Sequence, residues 1–291
     1  MLGEFIQYLF SGLTNGAIYA LVGLGFALIY NASHVINFAQ GEFVMLGGMN
    51  TVFLMAAGLP MPVAIMLAVI ITAIVGLALE KLAVEQTKNA TVVTLIIITI
   101  GAGIFIRGAA QVMFDKSFHT LPPFSGDAPL NVLGATITPQ TLWVLGITIV
   151  IVAALQWFFT RTLLGKAVLA TSHNPLAARL VGVNVQFILL LSFGLSAALG
   201  AIGGVLITPI SPTNFEVGIM LGVKGFSAAI LGGLGSGFGA IAGGLILGLI
   251  EAYTAGYISS NYKDAMAFVV ILLVLFFMPS GLFGKRGTDR V

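Results

Sequence analysis

Glu42, Lys224 and Glu251 are charged side chains set within or at the edges of apolar runs, and Asn37 and Gln40 stand just ahead of the run that holds Glu42. In hydrocarbon such a charge costs about 2.5 to 3.5 kcal/mol on insertion scales, so each is expected to face the protein interior or a wet cavity and to find a partner. One reading pairs Lys224 with Glu42 or Glu251 beside a pathway. The other leaves Lys224 and Glu42 near opposite membrane surfaces, each reaching water by itself. Neither arrangement supplies a nucleophile or a recognisable carboxylate pair. The histidines, His34, His119 and His173, stand far apart with no HExxH pattern, so no metal site is expected. There is no GxSxG elbow, and the Gly-Lys pairs at 165–166 and 284–285 lack the glycine five residues upstream that a phosphate-cradling loop requires. The chain is expected neither to hydrolyse ATP nor to act as an enzyme.

The elements that must position these residues are membrane helices. Of 291 residues 58% are hydrophobic and 8% charged, against about 25% charged in an ordinary globular domain. Apolar runs of about 20 residues recur along the chain, and a helix of that length crosses a hydrocarbon core about 30 Å thick with its backbone satisfied internally. The fold class is therefore an all-α polytopic helical bundle of about 8–9 hydrophobic segments, read as one domain over 1–291. A net charge of +2 gives no reason to expect nucleic acid, and the absence of cysteine removes disulfides and thiolate sites together. The first span has no basic segment or cleavage pattern before it and is expected to be retained.

The spans fall at about 5–30, a second apolar stretch ending near 57, 60–79, 91–112, 140–160, 186–207, 217–234, 238–257 and 265–278. Glu80, Lys81, Glu85 and Lys88 read as a short mixed-charge loop, and Arg107 as a residue snorkelling from the far end of its span. Orientation follows from the cations: Lys81 and Lys88, then Arg161, Lys166 and Arg179, then Lys285, Arg286 and Arg290 mark the cytoplasmic side. Parity then puts the N-terminus outside, provided that 31–57 crosses; if it re-enters, the N-terminus flips.

The stretch 161–185 is the long polar interruption that carries a helical pattern. Asn174 followed by Pro175 marks a helix start and Gly182 a stop. Between them Leu176, Ala177, Leu180 and Val181 fall on one side and Arg179 elsewhere, giving a short amphipathic helix at the membrane surface. Such a helix suits a partner's groove, and equally a linker resting on headgroups. Near the C-terminal third Gly235, Gly239 and Gly243 stand four apart, a spacing that brings helix backbones together, as do Gly12 and Gly16 in the first span. Asn37-Phe38 with Gly41 is echoed by Asn214-Phe215 with Gly218, each ahead of a Met-Leu-Gly run, as duplicated halves would give.

Three stretches together, INFAQGEFVMLGG (36–48), GKAVLATSHNPLAARLVGV (165–183) and GVKGFSAAILGGLGSGFGAIAGGLILGLIE (222–251), resemble the shorter permease subunit of branched-chain amino acid ABC importers. The likeness runs in order over almost the whole chain. It implies a type II-like importer fold in a bacterial inner membrane. It also implies a second permease subunit, two cytoplasmic ATP-binding subunits and a periplasmic substrate-binding protein. No cofactor is then needed on this chain, since ATP is bound by the partners. The middle stretch is similar to the family's coupling loop, which the resemblance places at Gly165, Ala167, Asn174, Pro175, Ala177, Ala178 and Gly182, with Arg179 beside them; His173 departs from the pattern. Urea and short-chain amide importers share these motifs, and a stand-alone secondary transporter is the rival class.

Overall fold

The computed structural model describes residues 2–87, 91–132 and 134–284. Lys88, Lys285, Arg286 and Arg290, which enter the charge argument, lie outside the described residues. In chain order the helices are α1 (Leu2–Ser33), α2 (Gln40–Ala56), α3 (Met61–Leu79), α4 (Val92–Phe114), α5 (Pro139–Arg161), α6 (Leu163–His173), α7 (Pro175–Leu180), α8 (Val185–Ile207), α9 (Val217–Gly232), α10 (Gly237–Tyr257) and α11 (Lys263–Phe277). A small hairpin, β1 (Leu130–Val132) with β2 (Ala135–Ile137), interrupts the loop before α5. Among the described residues seven helices are long and apolar enough to cross a membrane. Two further helices in the bundle, α2 and α9, have only 17 and 16 residues.

Burial sorts the helices. In the most apolar window of α1, 89% of residues are buried, against 11% for α4, for α5 and for the window that contains α11. The first helix is thus the central post, and those three leave most of their surface uncovered by the rest of the chain. With lipid tails as apolar as leucine, helices associate through close packing at small residues rather than through expulsion from water. On α10, Gly239 and Gly243 lie against the α9 backbone at Gly232 and Ala228, while Gly244 and Gly248 lie against α1 at Ala20, Gly12 and Gly16. The expected stripe therefore loses Gly235. This residue precedes the helix in a turn, with φ +88° beside Tyr30 and Asn31, because α10 starts only at Gly237 after the Ser236 cap.

Loop contacts define the two ends of the bundle. At one end the Thr136 N–H donates to Gln7 Oε1 near the start of α1 at 2.7 Å, and His119 pairs with Thr213 ahead of α9. Phe53 of α2 packs there on Phe114, the last residue of α4. In this exposed loop the Asp115 carboxyl is held below the usual carboxylate range, first by the Ser117 N–H at 2.6 Å and then by His119 Nε2 at 3.1 Å. At the opposite end, the Leu282 and Phe283 N–H groups after α11 donate to the carbonyls of Leu231 and Gly232 at 2.9 Å. Starting at the first end, α5 carries the chain across, so 161–185 lies at the second. Residues 31–57 pass from the second end to the first, the crossing that parity required.

Three local expectations need correction. The segment after α3 is no loop: Glu80–Val84 continue the helix as a π turn, because Leu79 and Glu80 are buried against the bundle. The stretch 161–185 holds two helices instead of one, since Thr162 caps α6 by accepting from the Gly165 N–H at 3.0 Å. Third, α1 runs three residues beyond the expected 5–30 at each end.

Replacing Gly243 or Gly248 with leucine is expected to lower the thermal unfolding midpoint of the detergent-purified chain by several degrees or to abolish its accumulation, since each side chain would collide with backbone. Gly108→Leu is the control, because nothing lies within 4 Å of a Cβ built there. Equal behaviour of all three variants in a thermal-shift assay would refute the close-packing account.

Candidate functional site

The short helices α2 and α9 run in opposite directions and begin alike. The Asn37 side chain accepts from the Ala39 N–H at 3.1 Å, and the Asn214 side chain accepts from the Glu216 N–H at 3.1 Å. Four residues beyond each asparagine, Gly41 and Gly218 meet backbone to backbone, and a Cβ on either would strike the carbonyl of the other. The sequence echo therefore corresponds to a reciprocal contact inside the bundle, the type of arrangement that internal repeats produce in transporters.

Beside that contact lies a cavity of about 330 Å³ between α1, α2, α4 and α9. Phe26, Phe38 and Phe226 form its aromatic wall, with Phe226 at 5.5 Å and 5.4 Å from the other two ring centroids. Ile100, Ile104, Ile219 and Val223 complete the apolar surface. Its charged wall is Glu42 with Arg107: Nε donates to Glu42 Oε1 at 3.2 Å, and Nη2 contacts the same oxygen. Arg107 thus does not snorkel. A partner at membrane depth outweighs access to water at the helix end, because unpaired Glu42 would leave a buried charge uncompensated.

The other polar residues separate from this cavity. Asn37 and Gln40 are fully buried. Gln40 Nε2 donates to the Ser196 carbonyl at 3.1 Å, and the Ser196 hydroxyl donates to Gln40 Oε1 at 2.6 Å, which ties α2 to α8 in the space left by Gly25. Asn37 serves the turn into α2. Neither is among the residues that line the cavity.

Lys224 and Glu251 form a second charged cluster, away from Glu42. Lys224 Nζ donates to Glu251 Oε2 at 3.0 Å and to Tyr19 Oη at 3.2 Å, while Tyr19 Oη donates to Glu251 Oε2 at 2.7 Å. Asp264 Oδ1 approaches Nζ at 2.8 Å without the angles of a hydrogen bond, so that contact is an ion pair. The cluster joins α1, α9, α10 and α11. Sequence reasoning left Lys224 a choice of Glu42 or Glu251 and did not name Tyr19 or Asp264. An acid in the first turn of a helix looks like an ordinary partner for the helix dipole, so Asp264 gave no separate signal.

In the 161–185 region, Asn174 Oδ1 accepts from the N–H groups of Leu176 and Ala177, both at 3.0 Å, and Gly182 closes α7 with φ +89°. Ala177 and Arg179 are exposed, Ala167 and Pro175 partly so. Gly165 and Ala178 are buried, and Gly165 packs on the backbone of Phe158 and Phe159. Those two residues hold the loop together and are not available to a partner. Leu176, Leu180 and Val181 face outward, 71%, 89% and 79% exposed, as does Leu163 at the start of α6, 87% exposed.

Residues 8–275 match the family described as branched-chain amino acid transport system, permease component. The chain belongs to this permease family. It is 32% identical to the high-affinity branched-chain amino acid transport system permease protein LivH of Escherichia coli over 301 residues, covering 99% of this chain and 98% of that one. Similarity to the protein of the same description, BraD, from Pseudomonas aeruginosa is 33% over 304 residues, with the same coverage. A more distant relative is the ribose import permease protein RbsC of Escherichia coli, 25% identical over 282 residues, 93% of this chain and 85% of that one. Among solved structures, the PsaBC complex of Streptococcus pneumoniae with a Fab contains a chain of the same fold, with TM-score 0.55 and 14% identity over 96% of this chain and 97% of that one. The permease is thus a multi-pass membrane transport protein.

Removing Lys224 leaves Glu251 and Asp264 without their cation and is expected to destabilise the permease more than removing Lys224 and Glu251 together. Lys224→Met should cost about 3–5 kcal/mol, whereas Lys224→Met with Glu251→Gln should cost less than the sum of the single changes, with a coupling of about 1–3 kcal/mol. Thermal unfolding of the four proteins checks this, and additive losses would show that the pair is not energetically coupled.

Proposed function

We propose that this chain is a membrane-spanning subunit of an ATP-driven importer of branched-chain amino acids, with a type II-like importer architecture in a bacterial inner membrane. Its partners in this reading are a second permease subunit, two cytoplasmic ATP-binding subunits and a periplasmic substrate-binding protein. The observation that carries the reading is the exposed apolar row of α7 at the bundle end that holds Arg161, Lys166 and Arg179. Apolar side chains at i, i+4 and i+5 on a helix fit a partner's groove, and short basic loops mark the cytoplasmic side. A second cavity of about 340 Å³, formed by Arg179 with residues 183–186, adjoins the same surface. The named relatives with nearly full-length similarity support the cargo class.

The three-phenylalanine cavity favours a hydrophobic cargo over a sugar, urea or a small amide, for which an aromatic and aliphatic wall offers few hydrogen bonds. In this mechanism the binding protein delivers the amino acid to the end of the bundle that carries the 115–138 loop. ATP binding closes the ATPases, and α6 with α7 transmits that closure through α5 and α8 to the helices around the cavity. The permease contributes the path and the coupling, and a self-sufficient secondary transporter would have no use for the exposed row.

Leu180→Asp is expected to leave insertion and thermal stability unchanged while lowering stimulation of ATP hydrolysis by loaded binding protein on the order of tenfold or more, as removal of a central apolar anchor does. Ala178 is unsuitable for this test because it is buried. Unchanged stimulation in reconstituted transporter would reject docking through α7 and leave the helix as a surface linker.

A further inference from the structure

The Glu42–Arg107 pair is only half used. Both contacts from Arg107 fall on Glu42 Oε1, Glu42 Oε2 has no partner among the described residues, and the donors are Nε and Nη2. A carboxylate and a guanidinium ordinarily meet through two parallel hydrogen bonds that engage both oxygens. Here one oxygen of the acid and the Nη1 end of the base remain uncommitted. Glu42 is 2% exposed, so its free oxygen is closed off from bulk solvent. A Cβ built on Gly218 would lie 3.0 Å from Oε2, so α9 passes over this oxygen at a residue without a side chain.

We propose that this cavity is a headgroup station for a free, zwitterionic, apolar α-amino acid: Arg107 receives the carboxylate, Glu42 receives the ammonium, and the side chain lies on Phe26, Phe38 and Phe226. The inference rests on the reading of the chain as an amino acid permease and adds which part of the cargo is recognised, and by which residues. Charge balance supplies the physical argument. The pair is neutral and a zwitterion is neutral, so the cargo slots between the two partners without leaving a net charge at membrane depth. An amine lacking the carboxylate, or an acid lacking the ammonium, brings an uncompensated charge and is disfavoured. The apolar wall accepts leucine-sized side chains without reading their branching, and a cavity of about 330 Å³ holds one such solute.

The chain has no cysteine, so Ile104→Cys places a single thiol on the cavity wall at a residue already 62% exposed. The maleimide labelling rate is measured in the assembled, reconstituted transporter with L-leucine, leucinamide or 4-methylpentanoate. L-Leucine is expected to slow labelling roughly tenfold relative to either analogue at equal concentration, the discrimination that one charge-assisted contact confers. Glu42→Gln in the same background should remove the difference between leucine and 4-methylpentanoate. The analogue series needs no change to either charged residue, so it decides the matter even if Glu42→Gln fails to fold. Equal protection by all three compounds would overturn headgroup recognition. Leucine transport by the same complex with its binding protein is measured in parallel: transport without protection overturns the station and leaves the permease reading intact, whereas loss of both overturns the reading beneath it.

Discussion

Direct backbone contact between α1 and α10, at Gly12 and Gly16 on one side and Gly244 and Gly248 on the other, is the interaction on which the rest of the bundle depends. Helices in lipid gain nothing from expelling water, so their association rests on dispersion contacts that fall away steeply with distance. Glycine removes the side chains that would hold two backbones apart. Because α10 presents a second small surface to α9, it is clamped between two neighbours, and α1 becomes the post around which α8, α9 and α10 assemble. Tyr19, Gly25 and Phe26 are all on that post. Each of the three polar or aromatic assemblies described above takes one of these residues.

Charge placement then divides the interior into two compartments with different work. The Lys224 cluster is satisfied internally: the lysine has two hydrogen bonds and one ion pair, and the tyrosine both accepts and donates. This network fixes the relative positions of four helices, with Glu251 Oε2 taken by both Lys224 and Tyr19. The Glu42–Arg107 pair is open by comparison, with a free oxygen and an adjoining cavity. Buried ion pairs add little net stability when their desolvation is counted, which fits the role proposed for this incomplete pair beside the cavity.

The two short helices make the connection between interior and ends. Each starts from an asparagine-capped turn within the bundle, and their glycines meet where the cavity begins. At the opposite end from the 115–138 loop, α6 and α7 hold buried Gly165 and Ala178 against the bundle and turn Leu176, Leu180 and Val181 outward. That outward row connects to α5 through the Asn174 turn, α6 and the Thr162 turn, and to α8 through residues 181–184.

The sequence by itself determined the class and the approximate spans, and its three motif stretches carried the resemblance to the family. Class and spans are set by composition and by spacing along one helix, quantities that do not depend on which helices touch. It also carried the start and stop of α7, because an asparagine cap, a proline and a positive-φ glycine act within a few residues. What only the tertiary structure decided is partnership. Arg107 looked like a helix-end cation and is Glu42's counter-ion across 65 residues; Lys224 had two possible acids and takes Glu251 together with Tyr19 and Asp264. Gln40 ties α2 to Ser196 of α8, and Gly235 looked like part of a helical stripe and sits in a turn. These outcomes depend on helix rotation and depth, which close backbone packing fixes to within an ångström and which no local pattern encodes.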